Sequence, residues 1–390
     1  MATRGQLSDR HLPFWRGEGS VGLPGAAAIV AAILCTSVPA AATVQVDPVA
    51  RLTVEGGYDS NALYNGRGGD MSRVSPDLGI EARDHTWRLN LLAGGDLLMY
   101  EQNSNSPIWN ERGSLVYHSQ FAPRLMADAK LNATYASDPI GLAKLGIFSQ
   151  QGAFVATGGA RVAWRIDPFW KATGTFDESL VRFNDGTGAA SHVPGLEVTR
   201  ALSERLEVGG IYRFDVFDTL GGPVQTSLAN ELFSVARYRF SHHGTLEGQV
   251  GSALWRSFTG STSVLPEAAL QLMVDEERLR REVRVTLRHG VGLGLLAAPG
   301  LFDTAEVALT TRLSRRIEFH VDGGLWRSGD IPWGANGVTG YGMEGEVAWL
   351  FASGFRLGLA ASRFARADST VTTFNRNTVG LRFGWELPHR

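Results

Sequence analysis

Apolar and polar side chains alternate through residues 281–291, Arg-Glu-Val-Arg-Val-Thr-Leu-Arg-His-Gly-Val. In an extended chain, one face would carry the apolar residues Val283, Val285, Leu287 and Val291. The other face would carry Glu282, Arg284, Thr286, Arg288 and Gly290. A period of two indicates a β-strand with one apolar and one polar face. Such a strand fits either a half-exposed soluble sheet or a barrel wall that separates lipid from water.

The same alternation recurs along the chain between regularly spaced tight turns. Their centres lie roughly 38 residues apart, near Asp84, Pro123, Pro168, Glu204, His242, Glu277, Arg315 and Ser353. Each interval holds two strands, and a longer polar connection joins them at the end away from the turns. We therefore predict an all-β fold of about eighteen antiparallel, up-and-down strands. Open twisted sheets rarely exceed about ten strands, so we expect this one to close into a transmembrane β-barrel.

Composition narrows the class of protein further. The formal net charge is −2, so no strongly basic surface suggests a nucleic-acid partner. Outside the first residues, no run of about 18 apolar residues is present, which argues against a membrane-spanning helix. The single cysteine is Cys35. With one cysteine, the chain can form neither a cysteine-rich metal site nor a disulfide framework.

The N-terminus has the pattern of a secretory signal peptide. Arg4, Arg10 and Arg16 precede an apolar run over residues 25–38, and the small residues Ala40-Ala41-Ala42 follow it. We expect cleavage after Ala42, which gives a signal peptide at residues 1–42 and a barrel at residues 43–390. Cys35 would leave with the signal peptide.

Aromatic residues gather at both ends of the predicted strands. Those near the turns are Trp87, Phe121, Trp164, Phe169, Trp170, Phe240, Trp349, Phe351 and Phe355, and those near the longer connections are Tyr58, Tyr100, Tyr135, Phe217, Trp255 and Trp326. Transmembrane barrels carry aromatic girdles at both membrane interfaces. We expect both sets to face outward as such girdles.

The last predicted strand ends in a further motif. Residues 378–385, Thr-Val-Gly-Leu-Arg-Phe-Gly-Trp, resemble the insertion signal of bacterial outer-membrane proteins, with Gly380, Phe383 and Trp385 at its defining positions. The resemblance implies recognition by the outer-membrane assembly machinery.

The first predicted strand carries a family resemblance. Residues 53–64, Thr-Val-Glu-Gly-Gly-Tyr-Asp-Ser-Asn-Ala-Leu-Tyr, are similar to the opening strand of a family of bacterial β-barrel porins. Members include the integral outer-membrane barrels of myxobacterial exopolysaccharide export, which work beside a periplasmic polysaccharide-export protein. The resemblance implies a polysaccharide cargo and that partner.

Charged residues of both signs fall on the polar face of the strands. Pore-lining candidates are Arg237, Arg239, Arg284, Arg288, Glu344 and Glu346. The two signs are interleaved, so we do not expect strong anion selectivity. These residues would either form cross-strand ion pairs that stiffen the wall or line a track for a cargo.

An apolar segment, residues 140–148, interrupts the longest connection, residues 137–151. Ile140, Leu142, Leu145 and Phe148 would be unfavourable in water, so this loop is the predicted constriction. The alternative is packing against other loops or outer lipid. The nine histidines are scattered, and no recurring spacing indicates a catalytic group, a metal site or a cofactor.

These observations predict a channel in the outer membrane of a Gram-negative bacterium, with membrane lipids as its surroundings and both termini in the periplasm. The leading expectation, from the resemblance, is a conduit for polysaccharide export. One alternative is a general or substrate-selective diffusion porin. Another is a non-conducting structural or adhesive barrel. No enzymatic activity is expected.

Overall fold

The computed structural model describes residues 44–62, 67–101, 107–137, 152–223, 225–276, 281–293, 299–329, 338–351, 354–368 and 374–387. The predicted signal peptide, with Cys35, lies outside the described residues. So does the predicted constriction loop with Ile140, Leu142, Leu145 and Phe148.

The described residues form eighteen β-strands, which confirms the predicted all-β fold. They are β1 Gln45–Ala62, β2 Arg67–Arg83, β3 Trp87–Tyr100, β4 Ile108–Ala122, β5 Leu125–Ala136, β6 Ala153–Arg165, β7 Trp170–Phe183, β8 Gly188–Ala201, β9 Leu206–Leu220, β10 Thr226–Arg239, β11 Gly244–Arg256, β12 Thr262–Glu276, β13 Arg281–Leu293, β14 Pro299–Arg312, β15 Ile317–Gly329, β16 Val338–Leu350, β17 Phe355–Asp368 and β18 Phe374–Glu386. Among these residues no helix is long and apolar enough to cross a membrane.

Each strand pairs antiparallel with its neighbours in the chain, and the first strand pairs with the last. That last ladder runs from Arg51 opposite Glu386 to Asp59 opposite Thr378. The sheet therefore closes into an up-and-down barrel without a free edge, as predicted. Closure lets neighbouring strands satisfy one another's backbone groups around the whole barrel.

The tight turns lie at one end of the barrel, together with the start of β1 and the end of β18. We call this the turn end. Side chains fix the start of the following strand: Asp84 accepts hydrogen bonds from the backbone N–H groups of Thr86 (2.6 Å) and Trp87 (3.0 Å). Asp167 does the same for Phe169 and Trp170, at 2.7 Å each. Aspartate stabilises such turns by mimicking a backbone acceptor.

The opposite end carries the remaining connections, and we call it the loop end. Three of these, at residues 184–187, 221–225 and 257–261, have only four or five residues, close to the two to four at the turn end. The expected longer connections are therefore not present throughout. Some strands are long instead: β1 spans 18 residues and β2 spans 17. Strands of that length extend beyond the 9–11 residues that cross a bilayer.

Two glycines allow the first and last strands to approach closely. Gly57 lies directly opposite Gly380 in the β1–β18 ladder. A Cβ added at Gly57 would lie 2.2 Å from the carbonyl oxygen of Val379, so any other residue would push the strands apart. Gly57 belongs to the opening motif and Gly380 to the predicted insertion signal, so both motifs meet at the closing seam.

Candidate functional site

The inner face of the barrel is identified by side chains that reach across an intervening strand. Arg112 on β4 lies 2.7 Å from Asp77 on β2, and Arg237 on β10 donates a 3.0 Å hydrogen bond to Glu197 on β8. Such contacts form on the concave side of a sheet, where side chains converge. Because successive side chains point to opposite faces, the ladder register extends this assignment to every strand.

The outer face is apolar and exposed. On β10, Leu232 is 64% exposed, whereas the neighbouring Glu231 is fully buried inside. Leu287 is 43% exposed on the outer face of β13, and the ladder places Thr286 on the inner face. The predicted faces of residues 281–288 are therefore confirmed. The predicted outward direction of Val291 is wrong, because its side chain is fully buried among side chains of the inner wall.

The aromatic girdle is confirmed at the turn end. Exposed aromatic side chains on the outer face there include Trp164, Phe240, Trp349, Phe351 and Phe355. Phe383 of the predicted insertion signal joins them, with its ring 5.7 Å from that of Phe355. Trp385 pairs with Leu52 on the same face at the start of the seam.

The predicted girdle at the loop end is wrong for four of its six residues. Tyr100, Phe217 and Trp255 are buried on the inner face, at 2%, 1% and 4% exposure, and Trp326 also points inward. They belong to apolar clusters on the inner wall, such as Met71, Leu98 and Tyr100. The prediction that these residues lie near strand ends was correct. Whether they face the lumen or the outside depends on the register of the strands. The inner wall is therefore apolar towards the loop end and charged elsewhere.

Arg237 stands at the centre of a charged cluster on the inner wall. Its guanidinium contacts Glu197 on β8, Glu207 on β9 at 3.3 Å and Glu247 on β11 at 2.5 Å. The Nζ of Lys171 on β7 lies 3.7 Å from Glu207. Side chains of five strands, β7 to β11, thus meet in one set of ion pairs. The side chain of Arg237 is only 18% exposed.

A second cluster surrounds Arg382 beside the closing seam. Its guanidinium contacts Glu55 on β1 at 3.1 Å, Glu344 on β16 at 3.0 Å and Glu346 on β16 at 2.7 Å. Arg356 on β17 also pairs with Glu346. Three carboxylates are therefore paired here with guanidinium groups on two neighbouring strands.

All six predicted pore-lining residues lie on the inner face, but they do not form one site. Arg237 belongs to the first cluster, and Glu344 and Glu346 belong to the second, about half the circumference away by strand order. Arg284 pairs with Glu282 at 3.1 Å, and Arg288 donates a 2.9 Å hydrogen bond to the carbonyl of Val291. Arg239 lies exposed on the inner face of β10, where Thr245 is its ladder partner. Cross-strand pairing, one of the two predicted roles, describes three of the six.

Glycines opposite the buried carboxylates make these clusters possible. A Cβ at Gly94 would lie 1.9 Å from the carboxylate of Asp77, and one at Gly358 would lie 2.5 Å from Glu346. Larger residues there would displace the carboxylates from their arginines. The sequence shows these glycines, but only the register reveals what they face.

Sequence reasoning missed the most buried ion pair of the barrel. Asp59 and Arg376, on β1 and β18, are 0% and 1% exposed, and Nε of Arg376 lies 2.8 Å from Oδ2 of Asp59. The Tyr100 hydroxyl donates a 3.1 Å hydrogen bond to the same carboxylate. The Asp-Ser-Asn motif of residues 59–61 could have indicated this contact, because Ser60 also bonds across the seam. Its Oγ accepts a 2.8 Å hydrogen bond from the N–H of Asn377 on β18. This motif therefore fastens the seam.

Two recesses in the inner wall carry groups of both charge signs. One of 460 Å³ is lined by His118, Asp128, Lys130 and Arg161 among others, and His118 Nδ1 lies 2.6 Å from Asp128. The other, of 410 Å³, lies beside Arg284 and the Arg382 cluster. Within the described residues, no group of three or more His, Cys, Asp or Glu side chains is placed to hold a metal ion.

Comparison with known proteins finds matches among solved structures only. No family model matches the chain, and no curated protein sequence matches it. The outer membrane protein OpdK of Pseudomonas aeruginosa has 11% identity and a TM-score of 0.42 over 87% of this chain and 99% of its own. OccK5 (OpdH) of the same organism has 10% identity and a TM-score of 0.44 over 88% and 99%. OccAB3 of Acinetobacter baumannii has 8% identity and a TM-score of 0.42 over 87% and 99%. The barrel architecture described above follows from the strand pairing within this chain and does not depend on these similarities.

Proposed function

We propose that this protein is a diffusion channel of the bacterial outer membrane for small hydrophilic solutes. The observation that carries the proposal is the division of the barrel into two faces. Exposed leucines, valines and aromatics cover the outside, and ion-paired charges line the inside.

The outer face supports residence in a membrane. Side chains such as Leu232 and Val264, 64% and 72% exposed, would be in contact with water in a soluble protein. In a bilayer they contact lipid, and a closed barrel leaves no unpaired backbone edge in the hydrocarbon. Outer-membrane barrels have short periplasmic turns, so both termini lie on the periplasmic side in this proposal.

The strand number and inner charges support an aqueous lumen. Barrels of 16–18 strands leave a water-filled channel, whereas eight strands leave only enough room for side chains. Arg237 and Arg382 each contact three carboxylates, and Lys171 and Arg356 add one further cation to each cluster. Because the two signs largely offset each other along the wall, a weak ion preference is expected.

Polysaccharide export stays a prediction from the resemblance of residues 53–64. Within that stretch, Gly57, Asp59 and Ser60 contact β18 at the seam. Their presence is therefore accounted for by barrel closure, whatever passes through the lumen. The prediction that the protein is not an enzyme also stays a prediction.

Reconstitution of the purified protein in planar bilayers tests the channel. We expect single-channel currents and a permeability ratio for potassium over chloride within about threefold of one. Liposome swelling with neutral sugars of increasing size would give the size limit. Protein that is inserted, as shown by protease protection, but carries no current or solute would favour the structural or adhesive alternative.

A further inference from the structure

Towards the loop end, the β13–β14 hairpin separates from β12, while β14 stays paired with β15 up to Leu301. The β12–β13 ladder ends where Ala268 lies opposite His289, although β12 begins at Thr262 and β13 continues to Leu293. The β13–β14 ladder, in contrast, continues to Leu293 opposite Pro299. Residues 290–293 and 299–301, here called the hairpin tip, are therefore free of β12.

Two side chains of the inner wall hold the backbone of the hairpin tip. The N–H of Val291 donates a 2.7 Å hydrogen bond to Oε1 of Glu267, and its carbonyl accepts a 2.9 Å hydrogen bond from Arg288. Gly290 makes room for this contact, since a Cβ there would lie 2.6 Å from the same Oε1. A carboxylate thus takes the place of the missing strand partner.

Apolar contacts seat the hairpin tip against the inner wall. Val291 is fully buried and clusters with Phe217, Trp255 and Leu265, which point inward from β9, β11 and β12. The rings of Phe217 and Trp255 are 5.6 Å apart. Because these side chains belong to the lumen face, the hairpin tip lies over the inner wall at the loop end.

Beneath the tip lies a group of buried carboxyl groups. Glu231 is fully buried, and no hydrogen-bond partner among the described residues reaches either of its Oε atoms. Asp215 is its diagonal neighbour across the β9–β10 ladder, on the same inner face, and is 3% exposed; Glu267 is 2% exposed. Carboxylates buried this close together repel each other.

The charges that face this group come from every surrounding strand. They are Asp177 on β7, Arg213 on β9, Glu247 on β11, and Arg288 and His289 on β13. Arg213 lies 3.7 Å from Glu231, and Arg288 is held by Val291. Two arginines thus face Asp177, Asp215, Glu231 and Glu267, while Glu247 is paired with Arg237. Complete ionisation would leave uncompensated negative charge in a buried place, which is unfavourable unless water enters.

We propose that the hairpin tip is a proton-controlled constriction of the channel, latched by Glu267 and Val291 over the Asp215–Glu231 pair. Loss of the Asp215 proton drives its carboxylate away from that of Glu231 and draws water under the tip. A recess of 170 Å³ beside Arg213, Glu267 and Arg288 already provides an entry for that water. The tip then leaves Phe217 and Trp255, and the lumen widens. This inference rests on the proposed channel function.

Single-channel recording tests the constriction. Wild-type protein should have the smaller conductance near pH 5 and at least about twofold more near pH 9. A variant with Asp215→Asn and Glu231→Gln keeps neutral side chains of the same shape and should stay at the smaller conductance at both pH values. Wild-type conductance that does not change with pH would overturn the proposal.

Two glycines of the tip provide a matched pair of variants. Gly290→Ala places a methyl group against Glu267 Oε1 and should raise conductance even near pH 5. Gly292→Ala is the control, because a Cβ there meets only the Cβ of Phe302 at 3.9 Å. Equal conductance of the two variants would overturn the latch.

A thiol at Val291 separates the latch from the channel function. In a Cys35→Ser background, Val291→Cys should react with a water-soluble maleimide faster at high pH. The rate is compared with that of the same cysteine in the Asp215→Asn, Glu231→Gln background at the same pH. Faster labelling with the native carboxyl groups, but no current, would reject the channel function and retain the latch. Equal labelling rates would reject the latch, whatever current is measured.

Discussion

Arg376 and Asp59 join the last strand of the barrel to the first through an ion pair that is almost completely buried, at 1% and 0% exposure. They are 317 residues apart in the chain. A second pair on the same seam, Arg51 and Glu386, lies at the turn end at 2.9 Å and is 46% exposed on both sides. The two pairs allow the contributions of a buried and an exposed ion pair to the stability of the same seam to be compared.

Asp59→Asn should destabilise the barrel by about 3–5 kcal/mol, because it leaves Arg376 buried without its counter-charge. Glu386→Gln should cost only about 0–1 kcal/mol, since its partner stays in water. Guanidinium unfolding of the protein in lipid vesicles measures both. Equal losses would show that burial at the seam does not govern its strength.

Leu287→Arg should impair membrane insertion. A cationic side chain near the bilayer midplane of such barrels costs about 2–4 kcal/mol. Thr286→Arg, one residue away on the inner face, should insert normally because its guanidinium reaches water. The heat-modifiable band on gels reports the folded fraction of each. If both variants fold equally well, the assignment of faces on β13 is incorrect.

Arg237→Gln should lower stability by about 1–3 kcal/mol, because charged hydrogen bonds to Glu197 and Glu247 are lost inside the wall. It should also move the reversal potential towards cation preference, since three carboxylates lose their shared partner. Arg239→Gln is the control. This variant also removes one positive charge from β10, but Arg239 has no ion-pair partner among the described residues. A similar stability loss in the control would show that pairing is not what Arg237 contributes.

An epitope inserted at Gly186 should be reached by antibody on intact cells, whereas one at Ser241 should be reached only after permeabilisation. Gly186 lies in the β7–β8 connection at the loop end, and its φ of 86° marks an open turn. Ser241 lies in the β10–β11 turn at the other end. The reverse pattern of accessibility would invert the proposed orientation.

The sequence by itself determined the strand number, the up-and-down order and the alternation of side chains between the two faces of a strand. These properties have short range. Alternation such as that of Val283, Arg284 and Val285 has a period of two residues, and turns such as that at Asp84 depend on the next three residues. The pore-lining residues were found in the same way, since parity alone places Arg237 and Glu346 on the polar face.

Only the tertiary structure decided which of these side chains meet. Arg382 reaches Glu344 across an intervening strand, and Asp59 meets Arg376 only because β1 pairs with β18 in one particular register. The inward direction of Tyr100 and Trp255, and the departure of Val291 from β12, also follow from register and closure. These arrangements depend on how distant strands are staggered around the barrel, and a local pattern with a period of two carries no information about that stagger.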